Sequence, residues 1–256
     1  LNENSESQQY LLKCLYEMGS EPAIFTQLRK LIDNGEKNAV IGSYVSRAHK
    51  RYGIELRNPY CQKPLNFVHH KSLLHTVDFA ATFGRIASTL LTDSAAEHRA
   101  QTLLTNGIQT AGNVFSQCGE LGREIEMIIR TEIENYRKYF KESNEGLIRN
   151  WPEKYTLSGW IVSMAEGGKL AAHMHDSGWL TGSIYINVPT KSQPDSGNLV
   201  VASEDVENDA AVSENRRSID VITGSLCLFP SSLLHYTRPF NAKEKRVVLA
   251  FDMIPL

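Results

Sequence analysis

The spacing of apolar residues changes once along this chain, and that change limits the possible folds more than any other feature. From Gln8 to about Tyr52, apolar side chains recur at every third or fourth position, which predicts helices. After Trp151-Pro152, short β-branched segments alternate apolar and polar residues and are separated by Gly, Pro, Asn and Asp, which predicts strands. The chain should therefore be α+β, with a helical front and an antiparallel sandwich or barrel, and eight strands in two sheets would form a jelly roll.

The same pattern gives expected boundaries. A helical hairpin and a third helix over 38–51 precede a connector that contains Pro59 and Pro64, because proline stops helices. Residues 119–141 carry one apolar stripe and predict a long helix lying across a sheet, whereas 73–91 fit helix or strand and 106–113 look like a polar, turn-rich stretch. Strands are predicted at 155–164, 182–188, 199–202, 218–222, 225–229 and 246–251. We expect a helical segment over 1–57 and a second domain over 58–256, with helical support to about 142 and core strands over 150–256.

Composition excludes several classes of function. The 256 residues hold 27 Lys+Arg and 29 Asp+Glu, with a net charge of −2 and no run of like charge, so neither nucleic acid nor an acidic membrane surface is an expected partner. No stretch approaches the roughly 18 to 20 apolar residues that span a bilayer, and the polar start does not resemble a signal peptide, so we expect a cytoplasmic protein. The four cysteines have no zinc-knuckle spacing and should be reduced thiols. The first residue is Leu, which is compatible with a piece of a longer protein.

Three of the eight histidines lie in the β-rich part of the chain. His173 and His175 occur in Ala172-His-Met-His-Asp176, and His235 follows on a later predicted strand. Residues two apart on a strand point to the same face, so His173 and His175 could bind one ion, and histidine is the commonest metal ligand. A His-x-His pair is weak evidence alone. The other five histidines have no ligand spacing and are interpreted as surface or core residues: His49, His69, His70, His75 and His98.

Taken together, these residues resemble the Fe(II)- and 2-oxoglutarate-dependent oxygenases. That family places a His-x-carboxylate pair on one jelly-roll strand, a distal His on another, and a basic residue about ten positions later. Here Arg246 follows His235 by eleven residues. The resemblance is closest to members with a His-x-His motif, often found behind tetratricopeptide-like helices. It covers 100–256, and 8–57 look like a degenerate tetratricopeptide end.

The resemblance implies roles for individual residues. His173 and His235 would bind Fe(II), Arg246 would pair with the distal carboxylate of 2-oxoglutarate, and Tyr185 would donate its hydroxyl to the same carboxylate. The implied reaction consumes O2 and 2-oxoglutarate and releases succinate and CO2, with hydroxylation as the default outcome. Further candidates are Trp160, Trp179 and Phe229 for the pocket wall, and Gln109 and Asn113 for substrate contact.

The sequence departs from the family pattern at two positions. His175 stands where most relatives have Asp or Glu, with Asp176 directly behind it, and Val248 stands where many relatives carry a Ser that helps hold the cosubstrate. Three neutral imidazoles would leave a ferrous site one unit more positive than two imidazoles and a carboxylate. We favour His175 over Asp176 as the third ligand, because Asp176 would face away from His173 on a regular strand.

Two other functions remain open. A cupin-like enzyme could bind iron, manganese or zinc through three histidines without a 2-oxo acid, or a non-enzymatic domain could bind peptide or sugar. Arg246 favours the 2-oxoglutarate interpretation, because only that interpretation gives it a role. The substrate could be a peptide or protein side chain or a small molecule, the polar segment 203–217 could form a lid, and the helical segment could pair with a second copy in a homodimer.

Overall fold

The structure, a computed structural model, describes residues 3–92, 98–99, 101–191, 193–206 and 213–256. Its α-helices are α1 Glu3–Met18, α2 Glu21–Asp33, α3 Ala39–Tyr52, α4 Arg85–Thr92, α5 Val114–Gln117, α6 Gly119–Tyr139 and α7 Gly146–Arg149. Its strands are β1 His69–Ser72, β2 His98–Arg99, β3 Leu104–Thr110, β4 Tyr155–His173, β5 Leu180–Asn187, β6 Leu199–Ala202, β7 Arg216–Ile219, β8 Ser225–Pro230, β9 Leu234–Thr237 and β10 Arg246–Pro255. A 3₁₀ turn covers Pro64–Phe67 and a π-helical turn covers Ala80–Gly84.

The three N-terminal helices form where the apolar periodicity predicted them. Asn38 begins α3, because its side-chain oxygen accepts a hydrogen bond from the Ile41 backbone at 3.1 Å. Gly53, at φ 70°, ends it in the left-handed conformation that glycine adopts without strain. The apolar faces of these helices bury a separate cluster that includes Leu28 and Ile41. This cluster stabilises the segment mainly by packing, since short helices are marginal alone.

Strand β4 organises the sheet because it pairs with three other strands, β3, β9 and β10. Its first half, from Tyr155 to Met164, pairs antiparallel with β10, and its second half, from Leu170 to His173, pairs with β9. The strand order is β1-β8-β5-β10-β4-β9-β6-β7, with β3 added on β4 and β2 on β3. This curled antiparallel arrangement is a jelly roll, which confirms the predicted fold class.

The long helix α6 covers one face of the sheet, as its stripe predicted. Ile125, Ile129 and Ile133 are fully or almost fully buried and pack in one cluster with sheet residues such as Leu157 and Leu249. A second cluster lies between the two faces of the roll, and it includes Leu199, Val201, Phe229 and Val248. The core therefore has a helix-on-sheet layer and a sheet-on-sheet layer, which hold the strands that carry the histidines.

Some sequence expectations were wrong in detail. The polar stretch at 106–113, interpreted as turns, contains most of β3, because Gly107, Ile108 and Gln109 pair with β4 despite their turn-type neighbours. For 73–91 the sequence left both helix and strand open, and the structure has the first of these, with helix from residue 80. Among the helices of the described residues, none has the length and apolar character needed to cross a membrane.

Candidate metal centre

The sheet register brings two of the three predicted histidines together. His173 ends β4 and pairs directly with His235 on β9, and their ring centroids lie 4.3 Å apart. His235 is 7% exposed, and its neighbour across the sheet on the other side is Val201 of β6. Antiparallel partners on one face have adjacent side chains, so the backbone itself positions this pair.

The third histidine, His175, also lies in this cluster, but it is not on the strand as predicted. Strand β4 ends at His173, so His175 lies in the turn that follows and not on the strand. The regular alternation of a strand therefore does not align the pair. The turn nevertheless brings the Nε2 atoms of His173 and His175 within 3.2 Å of each other, and the rings of His175 and His235 lie 4.8 Å apart.

This cluster has the size of a metal site. One nitrogen from each of His173, His175 and His235 can be chosen so that all three lie within 4.8 Å of one another. Two nitrogens bound to one ion at about 2.1 Å would be roughly 3.0 Å apart at an octahedral angle and roughly 3.4 Å apart at a tetrahedral angle. The observed 3.2 Å between the first two falls between these values, so the residues present fit a three-histidine metal site.

Burial lowers the pKa values of two of the histidines and so favours their neutral, metal-binding form. Burial, helped by the neighbouring His175, lowers the pKa of His173 to about 4. Burial also lowers the pKa of His235 well below its usual value. Both rings are therefore neutral near pH 7, which is the form that coordinates a metal.

Asp176, the alternative to His175, lies away from the cluster. Its carboxylate makes an ion pair with Lys13 of α1, and its side chain is 47% exposed. The cluster of potential ligands contains His175 and not Asp176. The geometry thus favours the residue that the sequence also favoured.

Arg246 begins β10 and is buried beside Tyr185. The guanidinium carbon lies 5.0 Å from the centre of the Tyr185 ring, and Arg246 is only 2% exposed. Its Nε atom has no hydrogen-bond partner among the described residues, and within that part of the chain no carboxylate forms an ion pair with it. Burial lowers the pKa of Arg246 and raises that of Tyr185. A buried cation without an anion is costly, so this position fits an anionic ligand such as a carboxylate.

One cavity joins the histidines to Arg246 and Tyr185. Its lining also includes Trp160 and Gln109, two of the predicted pocket residues. The Trp160 ring lies 5.4 Å from that of His175, and Val248 adds an apolar wall in place of the hydroxyl expected in many relatives. The cavity therefore combines a histidine cluster that could bind a metal, a buried cation and a largely apolar wall, and this combination is typical of a ligand site.

Three other residues that the sequence suggested for the pocket wall or for substrate contact make contacts within the core of the protein. Asn113 is outside the lining of this cavity: its oxygen accepts from the Phe115 and Gly159 backbone, and its amide donates to Leu157 at 2.8 Å. Trp179 donates to the Leu147 carbonyl at 3.0 Å within the core. Phe229 is fully buried in the cluster between the sheets, although its ring lies 5.1 Å from that of His235.

The predicted lid segment lies partly outside the described residues. Within 203–217, residues 207–212 are not described. The ends of the segment are fixed: Asp205 binds the Arg47 side chain at 2.5 Å, and β7 begins at Arg216, earlier than the predicted strand at 218. The lid stays a prediction.

Asp252 is a polar neighbour of the site that the sequence analysis missed. Its Oδ1 lies 2.7 Å from Nδ1 of His175. The available signal was a lone acidic residue in the otherwise apolar stretch of β10 from Val247 to Pro255, since a buried carboxylate requires a partner.

Comparison with known proteins agrees with this arrangement. Residues 158–252 match the family model described as "Putative 2OG-Fe(II) oxygenase". The matched segment contains all three clustered histidines together with Tyr185 and Arg246. No protein with a curated description matches the chain.

Solved structures share the fold at low sequence identity. A prolyl-4-hydroxylase from Pseudomonas putida is 11% identical, with a TM-score of 0.51, over 74% of this chain and 92% of that one. A prolyl hydroxylase from Trichoplax adhaerens, in complex with a hypoxia inducible factor peptide fragment, is 14% identical, with a TM-score of 0.50, over 74% and 84%. The epimerase SnoN, in complex with Fe3+, alpha ketoglutarate and nogalamycin RO, is 11% identical, with a TM-score of 0.51, over 76% and 80%.

The family match, the shared jelly roll and the histidine cluster point to one class of enzyme, whose cofactors are Fe(II) and 2-oxoglutarate. Residues 158–252, which carry the histidine cluster, match the model of the Fe(II)- and 2-oxoglutarate-dependent oxygenases, and the chain shares the jelly-roll fold of the compared structures.

Proposed function

We propose that this enzyme hydroxylates a peptide or protein side chain, or a small molecule, with conversion of 2-oxoglutarate and O2 to succinate and CO2. The observation that carries the proposal is a single cavity holding the three-histidine cluster and the buried Arg246, whose Nε has no hydrogen-bond partner among the described residues. A metal site alone would suit a cupin-like enzyme equally well. Because no carboxylate of the described residues pairs with this guanidinium, the site also requires an anion, which a 2-oxo diacid supplies.

We assign the ligand roles as follows. His173, His175 and His235 would hold Fe(II) through imidazole nitrogens, and a metal with three protein ligands would be able to bind a chelating 2-oxo acid. Arg246 binds the distal carboxylate of 2-oxoglutarate with charge-assisted hydrogen bonds. The Tyr185 hydroxyl, on the adjacent strand, donates to the same carboxylate.

Bound iron and 2-oxoglutarate supply the oxidising chemistry when O2 is present. The protein's own residues prepare the site for it. Trp160 and Val248 make the wall apolar and exclude water from the cavity, while Arg246 and Tyr185 orient the cosubstrate from the inner end. Gln109, 9% exposed on β3 and lining the same cavity, can hydrogen-bond a polar group of the substrate.

For the substrate we favour a peptide. Two of the three compared structures are named prolyl hydroxylases, and one holds a peptide fragment. SnoN, in complex with nogalamycin RO, supports the small-molecule alternative. Turnover of a free metabolite, with no binding of candidate peptides by calorimetry, would exclude the peptide.

We further propose that residues 1–57 form a docking segment attached to the oxygenase domain at 58–256. Its helices have their own buried cluster, and Met174, between the two adjacent histidines, packs against this cluster and against the main core. The Tyr16 hydroxyl and the Arg47 guanidinium both bind Asp205 at 2.5 Å. These contacts support the proposal, because they link the segment to the turn that carries the proposed metal ligand His175, where it could guide a substrate.

The test is an anaerobic titration of Fe(II) into apoprotein with excess 2-oxoglutarate. We expect the weak visible charge-transfer band of a chelated 2-oxo acid, and no band when succinate replaces 2-oxoglutarate. Metal binding without the band would favour the three-histidine enzyme that uses no 2-oxo acid. Absence of metal binding would favour a non-enzymatic binding domain.

A further inference from the structure

Asp252 lies directly behind the histidine that replaces the family's usual carboxylate ligand. Its Oδ1 is 2.7 Å from His175 Nδ1, and Asp252 is only 7% exposed. Because an ionised carboxylate can only accept, the shared proton belongs to His175 Nδ1. The Nε2 atom, which faces His173 at 3.2 Å, is then left with its lone pair free.

Other polar groups hold Asp252 in place. The Thr181 hydroxyl donates to the same oxygen at 2.9 Å and lies 2.8 Å from the Ser231 hydroxyl. Within the described part of the chain, no Lys or Arg forms an ion pair with Asp252. Among those residues, His175 is therefore the one ionisable side chain that contacts the buried carboxylate of Asp252.

The position of Asp252 on β10 explains why it reaches the site. Asp252 lies six positions after Arg246 on the same strand, and because side chains alternate between faces, both project from the same face. Asp252 pairs across the sheet with Thr181 of β5. Gly178 leaves the necessary space, since a Cβ there would lie 2.5 Å from Ser231 Oγ and 3.4 Å from Asp252 Oδ1.

We propose that Asp252 is a positioning residue that fixes the tautomer of His175 and supplies, from behind the ring, the negative charge that a carboxylate ligand supplies in related sites. The inference rests on the proposed metal site. Fe(II) with three neutral imidazoles carries two positive charges, and Asp252 lowers the total to the one found with two imidazoles and a carboxylate. A carboxylate hydrogen-bonded to the far nitrogen also makes the imidazole a stronger ligand.

Metal affinity without 2-oxoglutarate tests the proposal. Co(II) is titrated into apoprotein of the wild type, Asp252→Asn and Asp176→Asn. Loss of an outer partner of this kind weakens metal binding about 10- to 100-fold, so we expect that loss in Asp252→Asn. Asp176→Asn is the matched control, because it removes a neighbouring negative charge that pairs with Lys13 and not with His175. We expect it to change affinity less than about threefold, the size of an ordinary contextual effect.

A second readout separates positioning from general structural damage. Long-range proton–nitrogen NMR correlations on the apoprotein should show His175 protonated at Nδ1 in the wild type and a mixture of tautomers in Asp252→Asn. If Asp252→Asn does not fold, Thr181→Val removes the hydroxyl that holds the carboxylate, and we expect a smaller loss of Co(II) affinity in the same direction.

The outcomes distinguish a failure of the role proposed for Asp252 from a failure of the proposed metal site. Equal Co(II) affinity in the wild type and Asp252→Asn, or equal losses in Asp252→Asn and Asp176→Asn, would overturn the role of Asp252. If the wild type itself binds no Co(II), the proposed metal site fails, and the tautomer of His175 still decides whether Asp252 positions that ring.

Discussion

Replacing Arg246 with methionine should strongly weaken cosubstrate binding and make the protein without cosubstrate more stable. Arg246 is 2% exposed, and its Nε is unpaired among the described residues. In the protein without 2-oxoglutarate, a buried charge of this kind is costly. Methionine fills a similar volume without that cost.

The substitution should lower the affinity for 2-oxoglutarate and raise the stability of the protein without 2-oxoglutarate. Removing one partner of a buried, hydrogen-bonded charge pair costs about 2–5 kcal/mol, which weakens 2-oxoglutarate binding by about 30-fold to several thousand-fold. Without 2-oxoglutarate, the relieved desolvation of several kcal/mol is offset in part by loss of the contact with the Tyr185 ring, about 1–2 kcal/mol. A net gain of about 1–2 kcal/mol would raise Tm by roughly 2–8 °C in a chain of this size.

Calorimetry measures both effects on the same samples. Thermal unfolding is recorded without 2-oxoglutarate, and 2-oxoglutarate is titrated into Co(II)-loaded protein under anaerobic conditions. Arg217→Met is the control, because Arg217 is exposed on β7 and donates to the Val68 carbonyl. Unchanged 2-oxoglutarate affinity in Arg246→Met would refute the assigned role, and a Tm lowered by several degrees would refute the argument from an unpaired charge.

Three further predictions concern the rest of the fold. Cys227 is fully buried, and burial raises its pKa to about 12, so it should resist iodoacetamide in the native protein at pH 8. Half-buried Cys14 should react under the same conditions. Peptide mapping that found both cysteines alkylated at similar rates would contradict this. Burial lowers the pKa of His69, so the unfolded state takes up the proton first and the free energy of unfolding should fall as the pH drops below about 6.5. Urea midpoints at pH 5 and pH 7 should differ less in His69→Gln, and an equal difference would exclude this contribution. Asp205→Asn should weaken the attachment of the N-terminal helices by about 1–3 kcal/mol, because Arg47 loses a charged partner, and unchanged amide exchange over residues 3–52 would argue against that attachment.

Periodicity predicted most elements because local patterns determine them. The stripe from Leu121 to Phe140 predicted α6, and the alternation near Arg246 predicted β10. It failed at β3, where Asn106 and Gly107 look like turn residues and pairing with β4 overrides that preference. The fold class followed from the pattern, whereas strand order depends on contacts between distant residues.

The histidines could be chosen from the sequence, but their arrangement could not. The alignment of His173 with His235 is a property of the β4–β9 register, which no local pattern specifies. His175 reaches the cluster from a turn after β4 has ended, so strand alternation selected a residue of the cluster for a geometric reason that does not apply there. Asp252 was missed because a single acidic residue in an apolar strand has no motif around it.

The pairing of β4 with β10 determines the order in which the centre can be assembled. His173 is held by the same strand that runs alongside β10, yet β10 is made after every other strand of the sheet. Synthesis proceeds from the N-terminus at about 5–20 residues per second, so the nascent chain exposes His173 and His175 for several seconds before Arg246 and Asp252 leave the ribosome. Iron captured during that interval would meet two imidazoles with neither the carboxylate behind His175 nor the proposed cosubstrate pocket, so we expect productive loading of the metal to follow closure of the roll.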